Sequence, residues 1–268
     1  MNESFFTPMS GDPVSGEGRF RGERACIGPW SAELMHGGPP SALLVRACER
    51  AAADAVPGLV AVRTNVDFLS SVLVGDVQVG ARVVRAGRRI TLTEATMSAA
   101  GRDVLIARTW HVRLADAPTP ELDQDPIGRP PAPTQCPETM TDWVFPYGQA
   151  LEWRLVSGDP IGPGPSAVWS RARIPVVPGE EPSGLQRAVL TADSGNGISA
   201  NLDWAAWSFV NIDLDVHLSR PLDGEWVLLD ARTRYEETGT ALATSMLGDE
   251  RGTVGRGAQT LVVTPRGG

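Results

Sequence analysis

Asp193 is the residue whose place in the sequence points most directly to acid–base chemistry. It continues an apolar stripe with Leu185 and Val189 at spacings of i, i+4 and i+8. A carboxylate buried on such a stripe is costly unless it is paired or hydrogen-bonded, and near a helix C-terminus it opposes the helix dipole. A helix terminus, marked by the small residues at 194–197, is the ordinary explanation. Because helix stability does not account for the charge, we take Asp193 as a candidate general base.

Two side-chain amides in the same half are candidate partners. Gln259 shares a predicted strand face with Gly257, Leu261 and Val263, and an amide on an apolar face needs hydrogen-bond partners. It either orients a water or a substrate carbonyl, or bonds a neighbouring backbone group. Asn211 lies on the polar face of its predicted strand, where surface exposure is the simpler interpretation.

The segment His36-Gly37-Gly38 is the third candidate, because it directly precedes a predicted helix. Glycines let a ligand approach the backbone closely, and free amides at a helix N-terminus favour developing negative charge. A tight turn that only starts the helix explains the same glycines. We treat His36, Gly37 and Gly38 as candidate substrate-binding residues.

The elements that position these residues are one helix and a series of strands in each half. Small residues at helical spacing predict a helix over 41–54 that lies close against a concave sheet, and the second helix covers 185–193. Alternating apolar residues and short turns predict strands over 60–68, 76–85, 89–99, 104–114, 210–218, 225–235, 240–247 and 253–264. This order predicts an α+β fold in which antiparallel sheet wraps around a helix, twice.

The two halves also repeat one another in sequence. Residues 68–76 match 217–225 at an offset of 149, which indicates two copies of one fold. The offset places the counterpart of Gln259 near Thr109 and that of Asp193 near Leu43 or Leu44, so only the second copy would carry the chemistry. Seven prolines between 117 and 137 predict an extended linker. We therefore predict domains at 1–116 and 138–268.

Composition narrows the classes of function. The net charge of −8 argues against general nucleic-acid binding, and the chain contains neither a G-x-S-x-G motif nor a phosphate-binding loop. Three isolated histidines and three widely spaced cysteines predict no metal site and no disulfide framework. The first residues lack the order of a secretory signal, and no apolar run is long enough to span a membrane. We expect a cytoplasmic protein without a bound cofactor.

Taken together, His36-Gly37-Gly38 before a small-residue helix, the duplicated strand block, and Asp193, Asn211 and Gln259 resemble the type II acyl-CoA thioesterases. The resemblance extends over roughly residues 20–264. It implies the double hotdog fold of the thioesterase-like superfamily, with two tandem copies of an antiparallel sheet around a central helix. It also implies a catalytic set of Asp193, Asn211 and Gln259, in which Asn211 departs from the family's usual hydroxyl residue.

The activity that the resemblance implies is hydrolysis of an acyl-CoA to free acid and CoA. Asp193 would accept a proton from a water held by Asn211 and Gln259, while backbone amides, at Gly37 and Gly38 or at their second-half counterparts, polarise the thioester oxygen. The substrate would be a small-molecule acyl-CoA of lipid metabolism, with CoA present only as part of it. We also expect a homo-oligomer, because exposed sheet edges and helix faces favour pairing.

The sequence leaves other functions open. The departure at Asn211 favours a non-catalytic acyl-CoA or fatty-acyl binding protein. A hydratase would need an Asp and a His close together in the sequence, and neither Asp54 nor Asp193 has such a neighbour. Tryptophans that could line an acyl channel, but are equally explained as core, are Trp110, Trp204 and Trp207. Arginines that could bind CoA phosphates, or simply be solvated, are Arg85, Arg88, Arg89, Arg232 and Arg234.

Overall fold

The computed structural model describes residues 3–10, 18–115, 130–141 and 143–266. The described part of the first half contains β1 (Phe6–Ser10), β2 (Gly18–Gly22), α1 (Gly38–Ala55), β3 (Val60–Phe68), β4 (Asp76–Arg85), β5 (Ile90–Ala99) and β6 (Arg102–Val112). The second half contains α2 (Pro146–Ala150), β7 (Leu151–Ser157), β8 (Ser166–Ala172), α3 (Gly184–Ala192), α4 (Gly195–Ile198), β9 (Trp207–Asn211), β10 (Asp213–Leu218), β11 (Val227–Tyr235), β12 (Thr240–Asp249) and β13 (Gly252–Pro265). The two helices predicted from the apolar stripes are α1 and α3.

The strands of both halves form one antiparallel sheet. Its order is β1-β2-β4-β5-β6-β3 through the first half and β10-β13-β12-β11-β8-β7 through the second, with β9 paired to β13. The second half thus follows the first in mirrored order, and β3 and β10 join the halves edge to edge. The predicted α+β arrangement, a helix packed against antiparallel sheet in each of two copies, is confirmed.

The internal repeat has a regular offset in the strands. β5 and β12 begin at residues 90 and 240, and β6 and β13 begin at 102 and 252, which makes the offset 150. Thr109 pairs with Thr93 as Gln259 pairs with Ala243, so Thr109 is the counterpart of Gln259. The helices begin at 38 and 184, an offset of 146. The counterpart of Asp193 therefore lies near Ala47 rather than at Leu43 or Leu44.

The start of each half differs from the prediction. A pair of strands, β1 and β2 or β7 and β8, precedes the helix and extends the outer edge of the sheet. Sequence analysis missed β7, although apolar and polar residues alternate from Leu151 to Leu155; in the structure the polar Glu152 is buried together with Leu151 and Trp153. Residues 117–129 of the proposed linker lie outside the described residues, and the domain boundaries stay a prediction.

The helices pack against each other as well as against the sheet. Every residue from Gly38 to Cys48 of α1 is buried, as expected for a small-residue helix on a concave sheet. Between the halves, Arg46 pairs with Glu180 at 2.6 Å. Glu49 accepts hydrogen bonds from the side chains of Ser183 and Gln186, both at 2.6 Å, and burial still raises the pKa of its carboxyl. These contacts fix α1 relative to α3.

A bulge interrupts the strand that was predicted over 210–218. Asn211 pairs with Leu261 while Asp215 pairs with Ala258, so Ile212 is one extra residue between β9 and β10. A shift of one residue turns the following side chains to the opposite face. Leu214 is consequently buried, whereas Ile212 is 49% exposed. The single strand predicted over 210–218, whose alternation places Ile212 and Leu214 on one face, is therefore wrong at this point. The bulge directs Asn211 towards the interior instead of the predicted polar face.

The hairpin that carries Gln259 depends on a buried carboxylate at its turn, and we expect Asp249→Asn to destabilise it. Asp249 accepts hydrogen bonds from Arg220 Nη2 at 2.7 Å and from the N–H groups of Asp223 and Arg251 at 2.9 Å. Burial opposes ionisation, but these donors outweigh it and hold the pKa of Asp249 below its usual value. Urea unfolding at pH 7 should show a loss of about 2–3 kcal/mol in the free energy of unfolding.

The pH dependence provides the control. A depressed carboxyl pKa contributes stability that is present above the unfolded value, about 3.9, and is lost as the pH falls through the folded value. The difference in the free energy of unfolding between the wild type and Asp249→Asn should therefore become smaller at acid pH. Exposed Asp54→Asn should unfold like the wild type at both pH values, and a gap that stays constant with pH would contradict the assignment.

Candidate active site between the two halves

The carboxylate of Asp193 lies at the C-terminal end of α3, where the last turn of the helix faces the sheet. The side chain is 4% exposed. Its Oδ1 accepts hydrogen bonds from Asn211 Nδ2 at 3.0 Å and from Gln259 Nε2 at 3.3 Å. The charge predicted from the apolar stripe is therefore buried, and both amides bond the carboxylate directly.

The other carboxylate oxygen faces a residue of the first half. His36 Nδ1 lies 2.9 Å from Asp193 Oδ2, although 156 residues separate the two along the chain. The N–H of Gly38 also points at Nδ1, at 3.2 Å, and one ring nitrogen cannot donate to Asp193 and accept from Gly38 at once. In the tautomer with the proton on Nδ1, His36 donates to Oδ2 of Asp193. The second nitrogen, Nε2, has no hydrogen-bond partner among the described residues.

Gly37 makes this close approach possible. A Cβ at this position would come within 2.8 Å of Asp193 Oδ2 and 2.7 Å of the Phe68 ring, so a side chain would push the carboxylate away. The backbone N–H of Gly37 has no hydrogen-bond partner among the described residues, and it lies directly before α1. The positive end of that helix dipole reinforces the amide as an anion-binding group.

Gln259 has a second role in tying the end of α3 to the sheet. Its Nε2 donates to the backbone oxygen of Asp193 at 3.1 Å, and its Oε1 accepts from the N–H of Asn196 at 3.1 Å. The side chain is 2% exposed. The interpretation that Gln259 bonds neighbouring backbone groups is therefore confirmed, and its amide also bonds the carboxylate directly.

Tyr147 is a site residue that sequence analysis missed. Its ring stacks on His36 with centroids 3.8 Å apart and planes 9° apart. Burial raises the pKa of its hydroxyl well above the usual value, so the hydroxyl stays protonated and donates to Leu190 O at 2.6 Å. The bonded hydroxyl holds the Tyr147 ring in place, and the stacked ring fixes the plane of the His36 imidazole. A lone tyrosine in a Pro- and Gly-rich segment gives no pattern from which the contact could be predicted.

Two cavities meet at these groups. The larger one, about 590 Å³, is lined by His36, Gly37, Asp193 and Asn211, by apolar residues of several strands, and by Arg266. The second, about 190 Å³, is called here the aromatic cleft and is defined by Trp30, Trp143, Phe145 and Trp204. Trp30, His36 and Asn196 line both cavities.

The structure brings five of the six candidate residues together around one carboxylate: His36, Gly37, Asp193, Asn211 and Gln259. Gly38 is buried in α1 and lines neither cavity. Of the three candidate tryptophans, Trp204 lines a cavity described here. The cation at the larger cavity is Arg266, and the five arginines proposed for CoA phosphates line neither cavity.

The part of the chain that the structure describes shows neither a metal-binding cluster nor a membrane-spanning helix. No group of three or more His, Cys, Asp or Glu side chains there is placed to hold a metal ion. No helix among the same residues has both the length and the apolar character needed to cross a membrane.

Comparison with family models gives two matches that divide the chain as the repeat does. Residues 27–112 match the acyl-CoA thioesterase N-terminal domain, and residues 126–263 match the acyl-CoA thioesterase C-terminal domain. No curated protein sequence is significantly similar.

Solved structures share the fold at low sequence identity. A proposed thioesterase II from Thermobifida fusca superposes with a TM-score of 0.73 at 17% identity, covering 97% of this chain and 95% of that one. A hot dog fold protein of unknown function from Alicyclobacillus acidocaldarius gives 0.71 at 14% identity, with 94% and 96% covered. The acyl-CoA thioesterase II TesB2 from Mycobacterium marinum gives 0.63 at 15%, with 91% and 97% covered. The predicted double hotdog fold is confirmed.

The hydrogen bonds of Gln259 predict that its amide supports the fold as well as the site. Gln259→Leu should lower the free energy of unfolding by about 2–4 kcal/mol, because it leaves the buried N–H of Asn196 and the carbonyl of Asp193 without partners. Urea unfolding measures this. The matched change at exposed Gln78 should stay within about 0.5 kcal/mol of the wild type. Equal midpoints for both variants would refute the bonding described here.

Proposed function

Because the chain belongs to the acyl-CoA thioesterase family and is a thioester hydrolase, we propose that its substrate is an acyl-CoA, which it splits into a carboxylic acid and CoA. The observation that carries the proposal is the buried Asp193–His36 pair at the junction of two cavities. Acyl transfer to water needs a proton acceptor beside the carbonyl and a donor for its oxygen. The Asp193–His36 pair supplies the proton acceptor at this junction, and the Gly37 N–H supplies the donor.

The proton acceptor is the Asp193–His36 pair. Asp193 holds the Nδ1–H of His36, which leaves Nε2 with its lone pair free at the junction of the cavities. A water bound to Nε2 gives its proton to the imidazole as its oxygen attacks the thioester carbonyl. The buried carboxylate then stabilises the imidazolium that forms, as an acid does in a hydrolase triad.

Asn211 and Gln259 support this step by holding Asp193 in place. Their two N–H donors occupy Oδ1, so Oδ2 is the oxygen that faces His36. An amide at position 211 donates to a carboxylate as well as a hydroxyl does, which supports activity despite the departure from the family pattern. Here the amides bind Asp193 directly, whereas the sequence-based expectation had them binding the water.

The Gly37 N–H stabilises the negative oxygen of the tetrahedral intermediate. The intermediate then collapses: the carbon–sulfur bond breaks, the sulfur leaves as the CoA thiolate, and the proton on His36 passes to it. The carbonyl carbon keeps the hydroxyl from water and becomes the free acid. No covalent enzyme intermediate and no cofactor enter this scheme.

The partner and location predictions go with this proposal. The partner is a small-molecule acyl-CoA, and CoA enters only as part of it. Cytoplasmic location, a place in lipid metabolism, homo-oligomeric assembly and the lack of nucleic-acid or membrane partners stay predictions.

A hydratase acting on an enoyl-CoA is the second candidate. The sequence showed no histidine near Asp193, but the structure supplies one in space, since His36 lies 2.9 Å from it. An acid–imidazole pair of this kind can also add water to a double bond. Loss of enoyl absorbance without release of thiol would identify that reaction, whereas we expect thiol release from the same substrate.

Substitution of either residue of the pair should strongly slow hydrolysis while the fold stays intact. We expect Asp193→Asn and His36→Gln each to lower kcat for thiol release by about 10²- to 10⁴-fold, the usual worth of a positioned general base. The measurement is steady-state release of CoA thiol, with thermal unfolding as the check on folding. Asp54→Asn and His217→Gln, at exposed positions, are the matched controls and should retain wild-type rates.

The two substitutions also separate the two possible bases. If Asp193 itself takes the proton, as the sequence-based expectation has it, His36→Gln should retain most of the rate while Asp193→Asn does not. If neither variant loses activity, the pair is not the catalytic centre.

A further inference from the structure

We propose, on the basis of the function above, that the acyl group of the substrate is compact and carries one aromatic ring, as in a benzoyl or phenylacetyl thioester. The aromatic cleft would hold this ring. The two tryptophans of its first wall, Trp30 and Trp204, lie on opposite sides of the domain junction, and Trp143 and Phe145 form its second wall.

The aromatic residues of the cleft pack against one another in two groups. Trp30 and Trp204 stack with centroids 4.6 Å apart, and Phe209 contacts both edge-on at 5.2 and 4.7 Å. On the other side, Trp143 and Phe145 lie 4.8 Å apart. Walls of this kind favour a flat ring over a flexible chain, because an aromatic pair gains stabilisation beyond that from buried area.

The volume of the cleft matches an acyl group with about one ring. Its volume is about 190 Å³, and an apolar cavity of about 150 Å³ is known to hold one benzene molecule. A ring with a one- or two-carbon link to the carbonyl fits this space. A long alkyl chain is larger than this space. Pro160 and Ile161 line the same cleft.

The cleft opens where the chemistry takes place. His36 and Asn196 line it and also line the larger cavity, whereas Asp193 and Gly37 line the larger cavity alone. A ring in the cleft therefore sets the thioester against His36. The CoA portion leaves through the larger cavity, where Arg266 supplies positive charge and stacks on Trp30 with its guanidinium 5.3 Å from the ring centre.

The first test compares acyl groups by kcat/KM for thiol release. Phenylacetyl- and benzoyl-CoA should exceed acetyl-, decanoyl- and palmitoyl-CoA. Benzoyl-CoA should exceed cyclohexanecarbonyl-CoA, which has a similar shape but no ring face, by about 2- to 10-fold. Preference for decanoyl- or palmitoyl-CoA, or equal rates for the benzoyl and cyclohexyl pair, would overturn the inference and leave thioester hydrolysis standing.

The second test fills the cleft. Gly197 lines it, and the nearest atoms to a Cβ there are ring carbons of Trp204 at 3.9 Å, so Gly197→Val adds its methyl groups to the open space. We expect kcat/KM for phenylacetyl-CoA to fall by about 10-fold or more, and that for acetyl-CoA to stay within about twofold. The matched control is Gly80→Val in β4, where nothing lies within 4 Å of the added atom, and it should match the wild type on both substrates. Equal losses on both substrates in Gly197→Val would contradict a ring in this cleft.

A binding measurement separates this inference from the proposed function. S-(2-phenylethyl)-CoA is a thioether that cannot be hydrolysed, and its binding should quench tryptophan fluorescence more strongly and at lower concentration than that of S-decyl-CoA. If no acyl-CoA is hydrolysed but the phenylethyl thioether binds preferentially, the proposed function fails and the cleft assignment stands. If the decyl thioether binds more tightly, the cleft assignment fails whatever the hydrolysis assays show.

Discussion

The buried carboxylate of Asp193 needs hydrogen-bond donors, and the rest of the structure holds those donors in place. A charge that is 4% exposed persists only when donors surround it, and here they come from three separate elements. Asn211 belongs to the end of β9, Gln259 to β13, and His36 to the turn before α1 of the other half. Each donor must reach the carboxylate within about 3 Å, so the two halves have to be held in one arrangement. The continuous sheet through β3 and β10 and the contacts between α1 and α3 provide it.

The duplication explains why one copy carries the site and the other does not. Ala61 pairs with His111 as Asn211 pairs with Leu261, so the amide of the second half is replaced by a methyl group in the first. Thr109 occupies the position in the first half that Gln259 occupies in the second, and its hydroxyl lies 3.0 Å from that of Thr64. His111 approaches Thr93 at 2.8 Å, and burial lowers its pKa to about 4, which keeps it neutral. These positions therefore hold a set of uncharged polar groups that bond one another.

Much of the fold and part of the site can be predicted from the sequence. The features that cannot be predicted have identifiable physical causes. The stripe through Asp193 predicted a buried acid because its period is that of a helix, and the repeat predicted the counterpart of Gln259 because strands keep their spacing. The aim of Asn211 was not predictable, because it follows from one extra residue at Ile212. An alternating pattern looks the same with or without that bulge. Contact between His36 and Asp193 joins distant parts of the chain, and no local period encodes it. The edge strand β7 was missed although its apolar and polar residues alternate, and the structure departs from that alternation by burying Glu152 as well.

The dipoles of α1 and α3 account for the placement of the charge that sequence analysis found unfavourable. Asp193 lies at the negative end of α3, which alone would repel it. In the structure the positive end of α1 lies against the same turn, so close that a Cβ on Gly38 would be 2.5 Å from the backbone oxygen of Leu190. The N-terminal end of a helix of 18 residues thus lies beside Asp193, and its dipole offsets the field of α3. Glycine at 37 and 38 is needed for this approach, because any side chain would separate the two helix ends. The first half therefore contributes a histidine, an anion-binding amide and a favourable field to a carboxylate of the second, and the site exists only where the two halves meet.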